Sequence, residues 1–165
     1  MPNNNDDNDA LYRPCVGIAL FNNNGQVFVG ERLDNLGAWQ MPQGGIDPNE
    51  EIIPAAMREL KEEIGTNKAT ILKVNDEKIK YQTPLEIREH LQKIWGQPYI
   101  GQEQTWIAMR FDGNDSDIKL DAYDHPEFAQ WQWMDLDKTL DFIVPFKRDT
   151  YIKIIAAFKE FSTPI

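Results

Sequence analysis

One stretch constrains this chain more than any other. It reads Gly44-Gly45-Ile46-Asp47-Pro48-Asn49-Glu50, then seven residues, then Arg58-Glu59-Leu60-Lys61-Glu62-Glu63-Ile64-Gly65. Its second half predicts a helix from about Glu51 to Ile64. Pro54 belongs in the first turn, because deeper in a helix its ring would clash with the carbonyl four residues back. Gly65 supplies the C-cap signal. At about 100° per residue, Glu59, Glu62 and Glu63 stand at i, i+3 and i+4 and share one face. Ile53, Ala56, Met57, Leu60 and Ile64 form a neighbouring apolar face that docks the helix against a sheet and fixes its rotation. Three carboxylates then point at one small volume. Anions that close repel and raise one another's pKa unless cations sit among them. Oxygen-only ligands suit Mg²⁺, with waters and substrate phosphates filling its remaining positions. Taken alone, such a triplet is more often a solvated helix face, and Arg58 with Glu62 is an ordinary i, i+4 pair.

The rest of the chain predicts a mixed α/β fold. Cys15–Phe21 and Gln26–Gly30 are short apolar runs separated by Asn22-Asn23-Asn24-Gly25, the pattern of a β-hairpin. Residues 71–82 and 103–111 read as further strands. Another covers Ala129–Met134, where Trp131 and Trp133 alternate with Gln130 and Gln132. A second helix starts at Thr83-Pro84, as cap and first position, and runs towards Trp95. A third spans about Arg148–Phe161, with Ile152, Ile155, Ala156 and Phe161 as its stripe. Hairpins interleaved with helices predict a mixed sheet covered on both faces, an α/β/α sandwich. At 165 residues the chain is long enough for one domain with a real core, here residues 11–165. Residues 1–10 read as a disordered polar tail and not as a signal peptide. No run of about 18 apolar residues appears, so no membrane span is expected.

Net charge narrows the partners. At −10, the surface repels a long polyanion, so extended nucleic-acid binding is disfavoured. Phosphate-rich small molecules or chain ends remain open, provided metal ions and a few arginines reverse the charge locally. Cys15, the single cysteine, fits a reducing cytoplasmic location and packs within its strand. His90 and His125 read as surface residues, and no nucleophilic serine or cysteine arrangement competes.

The long pattern is more specific than the acidic triplet. Gly44, Glu50, Arg58, Glu59, Leu60, Glu62, Glu63 and Gly65 match the Nudix box, G-x5-E-x7-R-E-U-x-E-E-x-G-U, at every spacing. From average residue usage, chance agreement at a given start is on the order of one in 10⁹. Only Thr66 departs, at a final position where the family has a bulky aliphatic residue. The flanking segments Tyr12–Ile18, Trp39–Gly45, Gly101–Trp106, Pro126–Phe128 and Phe146–Asp149 resemble the branch of bacterial RNA 5′-pyrophosphohydrolases and dinucleoside-polyphosphate hydrolases. That branch includes the asymmetrical diadenosine tetraphosphate hydrolases of plants. The resemblance covers about residues 11–160.

It implies the Nudix sandwich and a set of roles. Glu59, Glu62 and Glu63 are the implied metal ligands, joined by the Gly44 carbonyl, with Glu127 as a distal carboxylate. Glu50 and Arg58 brace loop and helix, and Gly65 closes the motif. Arg13 and Arg32 match phosphate contacts, Val144 and Phe146 a base pocket, and Tyr81 a weaker phosphate or nucleoside contact. The implied cofactor is Mg²⁺, with Mn²⁺ as a substitute. The implied activity is hydrolysis of a nucleoside 5′-polyphosphate, either a triphosphorylated RNA 5′ end or a dinucleoside polyphosphate, with Glu62 or Glu59 taking the proton from water. The alternative is a catalytically inactive Nudix domain that binds a nucleotide or acts as an adaptor. Loss of a box glutamate would support it, and all four are present. Oligomeric state and protein partners are not legible in the sequence.

Overall fold

The computed structural model describes residues 11–165. The expected tail at residues 1–10 lies outside them. Eight strands form one mixed sheet. The long central strands β1 (Tyr12–Phe21) and β7 (Gly101–Phe111) run parallel along their whole length, with Cys15 opposite Gln104 and Phe21 opposite Arg110. All other pairings are antiparallel. β2 (Val27–Arg32) follows β1 through the expected turn, then leaves it to pair with β8 (Phe128–Met134) and the short β3 (Trp39–Gln40). The vacated edge of β1 is taken by β4 (Gln43–Gly45), with Val16 opposite Gly44. This divergence sets the start of the long motif against the centre of the sheet.

Alternation along β1 explains the layers. Val16, Ile18 and Leu20 point to one side, where they meet Ala55, Ala56, Leu60 and Ile64 of helix α1 (Ile52–Ile64). Ala19 and Phe21 point to the other, towards Tyr151, Ile154 and Phe158 of helix α3 (Arg148–Phe158). Both sides are fully buried, so central strands read as continuous apolar runs. Helices on both faces of a mixed sheet give the α/β/α arrangement that the sequence predicts.

Several boundaries differ from the expectation, each for a local reason. The single strand expected at 71–82 is two, β5 (Ala69–Val74) and β6 (Ile79–Gln82). Between them Asn75 donates its side-chain amide to the Glu77 carbonyl at 3.1 Å, folding a turn that periodicity does not register. Helix α2 (Leu85–Trp95) is capped by Pro84, not Thr83. The Thr83 N–H extends the sheet ladder to Ile100 O at 2.8 Å, and its carbonyl accepts from Arg88. α3 ends at Phe158 and tightens into a 3₁₀ turn over Lys159–Phe161. On α1, Ile53 is exposed and Ala55 fills the core-facing position, so the buried face is rotated to include Glu63.

Candidate active site

The long motif folds around Arg58. Its guanidinium donates from Nε and Nη2 to both oxygens of Glu50, at 2.8 and 2.7 Å, and from Nη2 to the Gly45 carbonyl at 3.0 Å. Nη1 reaches Glu59 at 2.9 Å and Glu62 at 3.3 Å. One side chain thereby ties the loop before α1, β4 and the outward face of α1 together. The Glu50 carboxyl is held down at about 2, first by these Arg58 hydrogen bonds and then by the Asp47 N–H. A β-carbon at Gly44 would collide with the Glu59 carboxylate, so glycine here lets that carboxylate lie directly against the β4 backbone. Gly65 takes the left-handed conformation, φ 82°, and its N–H caps the Lys61 carbonyl. Thr66, the one departure from the motif, is buried, and its Oγ accepts from the Lys68 N–H.

The three α1 glutamates are not equivalent. Glu62 is exposed, Glu59 half-buried and Glu63 only 6% exposed. Burial raises the Glu63 carboxyl well above the usual range, and the nearby carboxylates of Glu59 and Glu127 raise it further. The Gln43 backbone N–H opposes this, but Glu63 Oε2 has no hydrogen-bond partner. Burial likewise raises Glu59. Among the described residues, no three acidic, histidine or cysteine side chains are drawn tightly around one point. The expected convergence is therefore looser than helix geometry suggests. Arg58 relieves repulsion by pulling Glu59 and Glu62 to itself. The donor set still suits a hard divalent cation: it is all oxygen, it carries excess negative charge, and it includes a buried oxygen lacking a proton donor.

These groups lie in one cleft of about 1320 Å³. Of the residues singled out in the sequence, Arg13, Arg32, Gly44, Glu50, Glu59, Glu62, Glu63, Tyr81, Glu127, Val144 and Phe146 all line it, and Arg58 and Gly65 do not. His90 and His125 are exposed on its rim. Arg32 is less free than expected, because Asp34 takes it in a two-point ion pair at 2.8 and 2.7 Å. Tyr81 and Phe146 face each other with ring centroids 5.8 Å apart. Phe146 is half-buried and belongs to neither core cluster. Cys15 is buried in its strand, and burial pushes its thiol up to about 12.

Lys147 escaped the sequence reading. It is 5% exposed, lies 5.8 Å over Phe146 and 5.9 Å over Tyr81, and donates to Gln40 at 3.3 Å. Burial, followed by the charge of Arg32, brings its ammonium down to about 7. A single lysine after Phe146 carries no sequence signal of burial; only the fold shows it.

With the geometry in view, the chain belongs to the NUDIX family, whose domain model matches residues 11–154. Hydrolases of this family generally use divalent metal ions. Similar proteins include one named RNA pyrophosphohydrolase from Wolbachia pipientis subsp. Culex pipiens, 46% identical and covering 89% of each chain. Another of that name, from Novosphingobium aromaticivorans, is 47% identical and covers 93% of this chain and 98% of its own. Among solved structures, the E. coli dihydroneopterin triphosphate pyrophosphohydrolase shares the fold, with a TM-score of 0.65 at 16% identity, covering 89% of this chain and 99% of that one.

Proposed function

We propose that this chain is a Mg²⁺-dependent pyrophosphohydrolase of nucleoside 5′-polyphosphate ends. It would convert triphosphorylated RNA 5′ ends to 5′-monophosphates with release of pyrophosphate, or cleave dinucleoside polyphosphates, or do both. The observation that carries this is the buried, partnerless Glu63 Oε2 beside Glu59 and Glu127, in a cleft that also holds Arg13, Arg32 and Lys147. Excess negative charge at one point and cationic side chains around it suit a polyphosphate that would bind together with divalent cations.

Glu59, Glu62, Glu63, Glu127 and the Gly44 carbonyl would hold the magnesium, with manganese a substitute. A metal held there would lower the pKa of a water and neutralise phosphate charge. Arg13, Arg32 and Lys147 orient the phosphate chain, and Tyr81, Val144 and Phe146 receive the base. Glu62 or Glu59 takes the proton from the attacking water. A new P–O bond forms as the anhydride bond breaks, and the leaving phosphate departs with the electron pair. Arg58 and Glu50 hold these groups in place without touching the substrate.

The test is product analysis with the purified chain, offering 5′-triphosphate RNA and diadenosine tetraphosphate under identical magnesium. Expected products are pyrophosphate with 5′-monophosphate RNA, or mononucleotides, and chelation stops their formation. Intact substrates in magnesium and in manganese would leave only a nucleotide-binding or adaptor role. Relative kcat/KM ranks the two substrates.

A further inference from the structure

Three side chains on one face of β7, Gln102, Gln104 and Trp106, form a row from the cleft into the core. Gln102 lines the cleft, and Trp106 is fully buried against Tyr151. A β-carbon at Gly17, the β1 residue opposite both Trp106 and Gln43, would strike the indole, so the ring lies across the bare strand. The indole Nε1 stands 2.9 Å from the side-chain amide of Gln104, which is itself 1% exposed.

The hydrogen bonds of this row can run in one sense only. An indole N–H donates and never accepts. The Gln104 atom facing it is therefore the amide oxygen, and the other end of that amide is the NH2. This NH2 lies 2.8 Å from one amide atom of Gln43 and 3.0 Å from one of Gln102. Both of those atoms must accept, so both are oxygens. Gln43 and Gln102 then present their NH2 groups to the cleft that they line. Reversing either would set donor against donor beside a buried amide and leave a hydrogen bond unmade. The corner they face is rich in donors. Lys147 lies over the Tyr81 ring, Tyr81 is the β6 partner of Gln102, and Gln43 hydrogen-bonds the Tyr81 side chain. An ammonium and two NH2 groups match an acceptor-only group, a phosphate oxygen, better than a base edge, which carries donors as well.

We propose that Gln104 is a positioning residue for the polyphosphate: anchored on the Trp106 indole, it turns the Gln43 and Gln102 amides so that their NH2 groups meet phosphate oxygens. Gln104 does not itself line the cleft and acts through these two neighbours. The proposal rests on the hydrolase reading above for its substrate, and adds that a buried core tryptophan sets how that substrate is held.

The experiment uses Gln104→Glu and Gln104→Met in the full chain, with inorganic tripolyphosphate and magnesium as the calorimetric probe and 5′-triphosphate RNA as substrate. Glutamate keeps the shape and still accepts from Trp106. It offers Gln43 and Gln102 only acceptors, so both amides turn over and their oxygens face the phosphates. Methionine removes the director without adding charge. The expected result is a Kd for tripolyphosphate and a KM for RNA roughly tenfold higher in Gln104→Glu, a smaller rise in Gln104→Met, and kcat little changed in both. Because added charge alone repels phosphate, the glutamate is also placed in a Gln43→Met, Gln102→Met background, where it is expected to cost nothing further. A full additional loss there, or wild-type affinity in either single variant, overturns the proposal. One measurement needs no variant. Tripolyphosphate is expected to shift the side-chain NH2 magnetic-resonance signals of Gln43 and Gln102 in the wild-type chain and to leave the Trp106 indole signal in place. NH2 signals that stay put at saturation overturn the proposal as well. A chain that binds tripolyphosphate with those shifts yet cleaves no RNA sinks the hydrolase reading and leaves this one standing.

Discussion

Arg58 holds Glu50 through two parallel hydrogen bonds, 2.8 and 2.7 Å long, across the eight positions that separate loop from helix. Paired planar groups of this kind fix direction as well as distance. Through this contact the β4 backbone and the α1 glutamates keep a common frame.

Replacing Glu50 with Gln tests that frame. With its carboxyl held down at about 2, Glu50 contributes stability that is present above its ordinary value of 4.5 and lost as pH falls through 2. Melting temperature in Glu50→Gln is expected to fall less steeply than wild type between those limits. Turnover drops roughly tenfold as the glutamates lose alignment. Parallel acid-melting curves would show that the pair does not brace the fold.

Glu63→Gln removes a buried carboxylate while keeping its shape. If Glu63 ligates metal, kcat falls by at least ~10²-fold. With chelator present, the same variant melts higher than wild type, because an unpartnered buried oxygen of a charged group costs stability. Near-normal turnover would reduce the acidic face to a structural feature.

Glu127 stands in sequence far from the motif, yet its charge raises the Glu63 carboxyl. Glu127→Ala is expected to lower kcat and to raise the magnesium concentration needed for half-maximal rate. Unchanged magnesium dependence would make it a plain loop residue.

Phe146→Ala separates stacking from packing. Its half-burial outside both core clusters favours a rise in KM of roughly tenfold, with little change in melting temperature. A stability cost of ~3–5 kcal/mol with KM unchanged would remove it from the site.

Lys147→Met addresses the buried ammonium. Its folded value of about 7 lies below its ordinary 10.5, so the stability it allows is present above pH 10.5 and lost as pH falls through 7. The methionine variant should gain about 3 °C or more over wild type near pH 7, shrinking towards pH 10, while KM for polyphosphates rises. A melting difference independent of pH would mean Lys147 is not desolvated.

The parts of this protein with local signals were legible before any tertiary contact was known. The α1 periodicity, the Gly65 cap and the spacing of Gly44, Glu50, Arg58 and the three glutamates depend on neighbours within a few turns of chain, and they specify the family. The apolar runs of the chain, the Asn-Gly turn between the first two and the helices interleaved with them predicted the sheet and its two covered faces. Local rules also misled where a longer contact won: Thr83 was drawn into the ladder with Ile100 instead of capping α2. Tertiary structure alone decided which glutamate is buried, because the docking rotation of α1 turns Glu63 inward and leaves Glu62 in solvent. It alone paired Tyr81 with Phe146, engaged Arg32 with Asp34, desolvated Lys147 and set Trp95 under Arg13. Most of these are contacts between residues distant in the chain, and burial is a property of the closed sheet and its helices; neither is written in the spacing of any one segment.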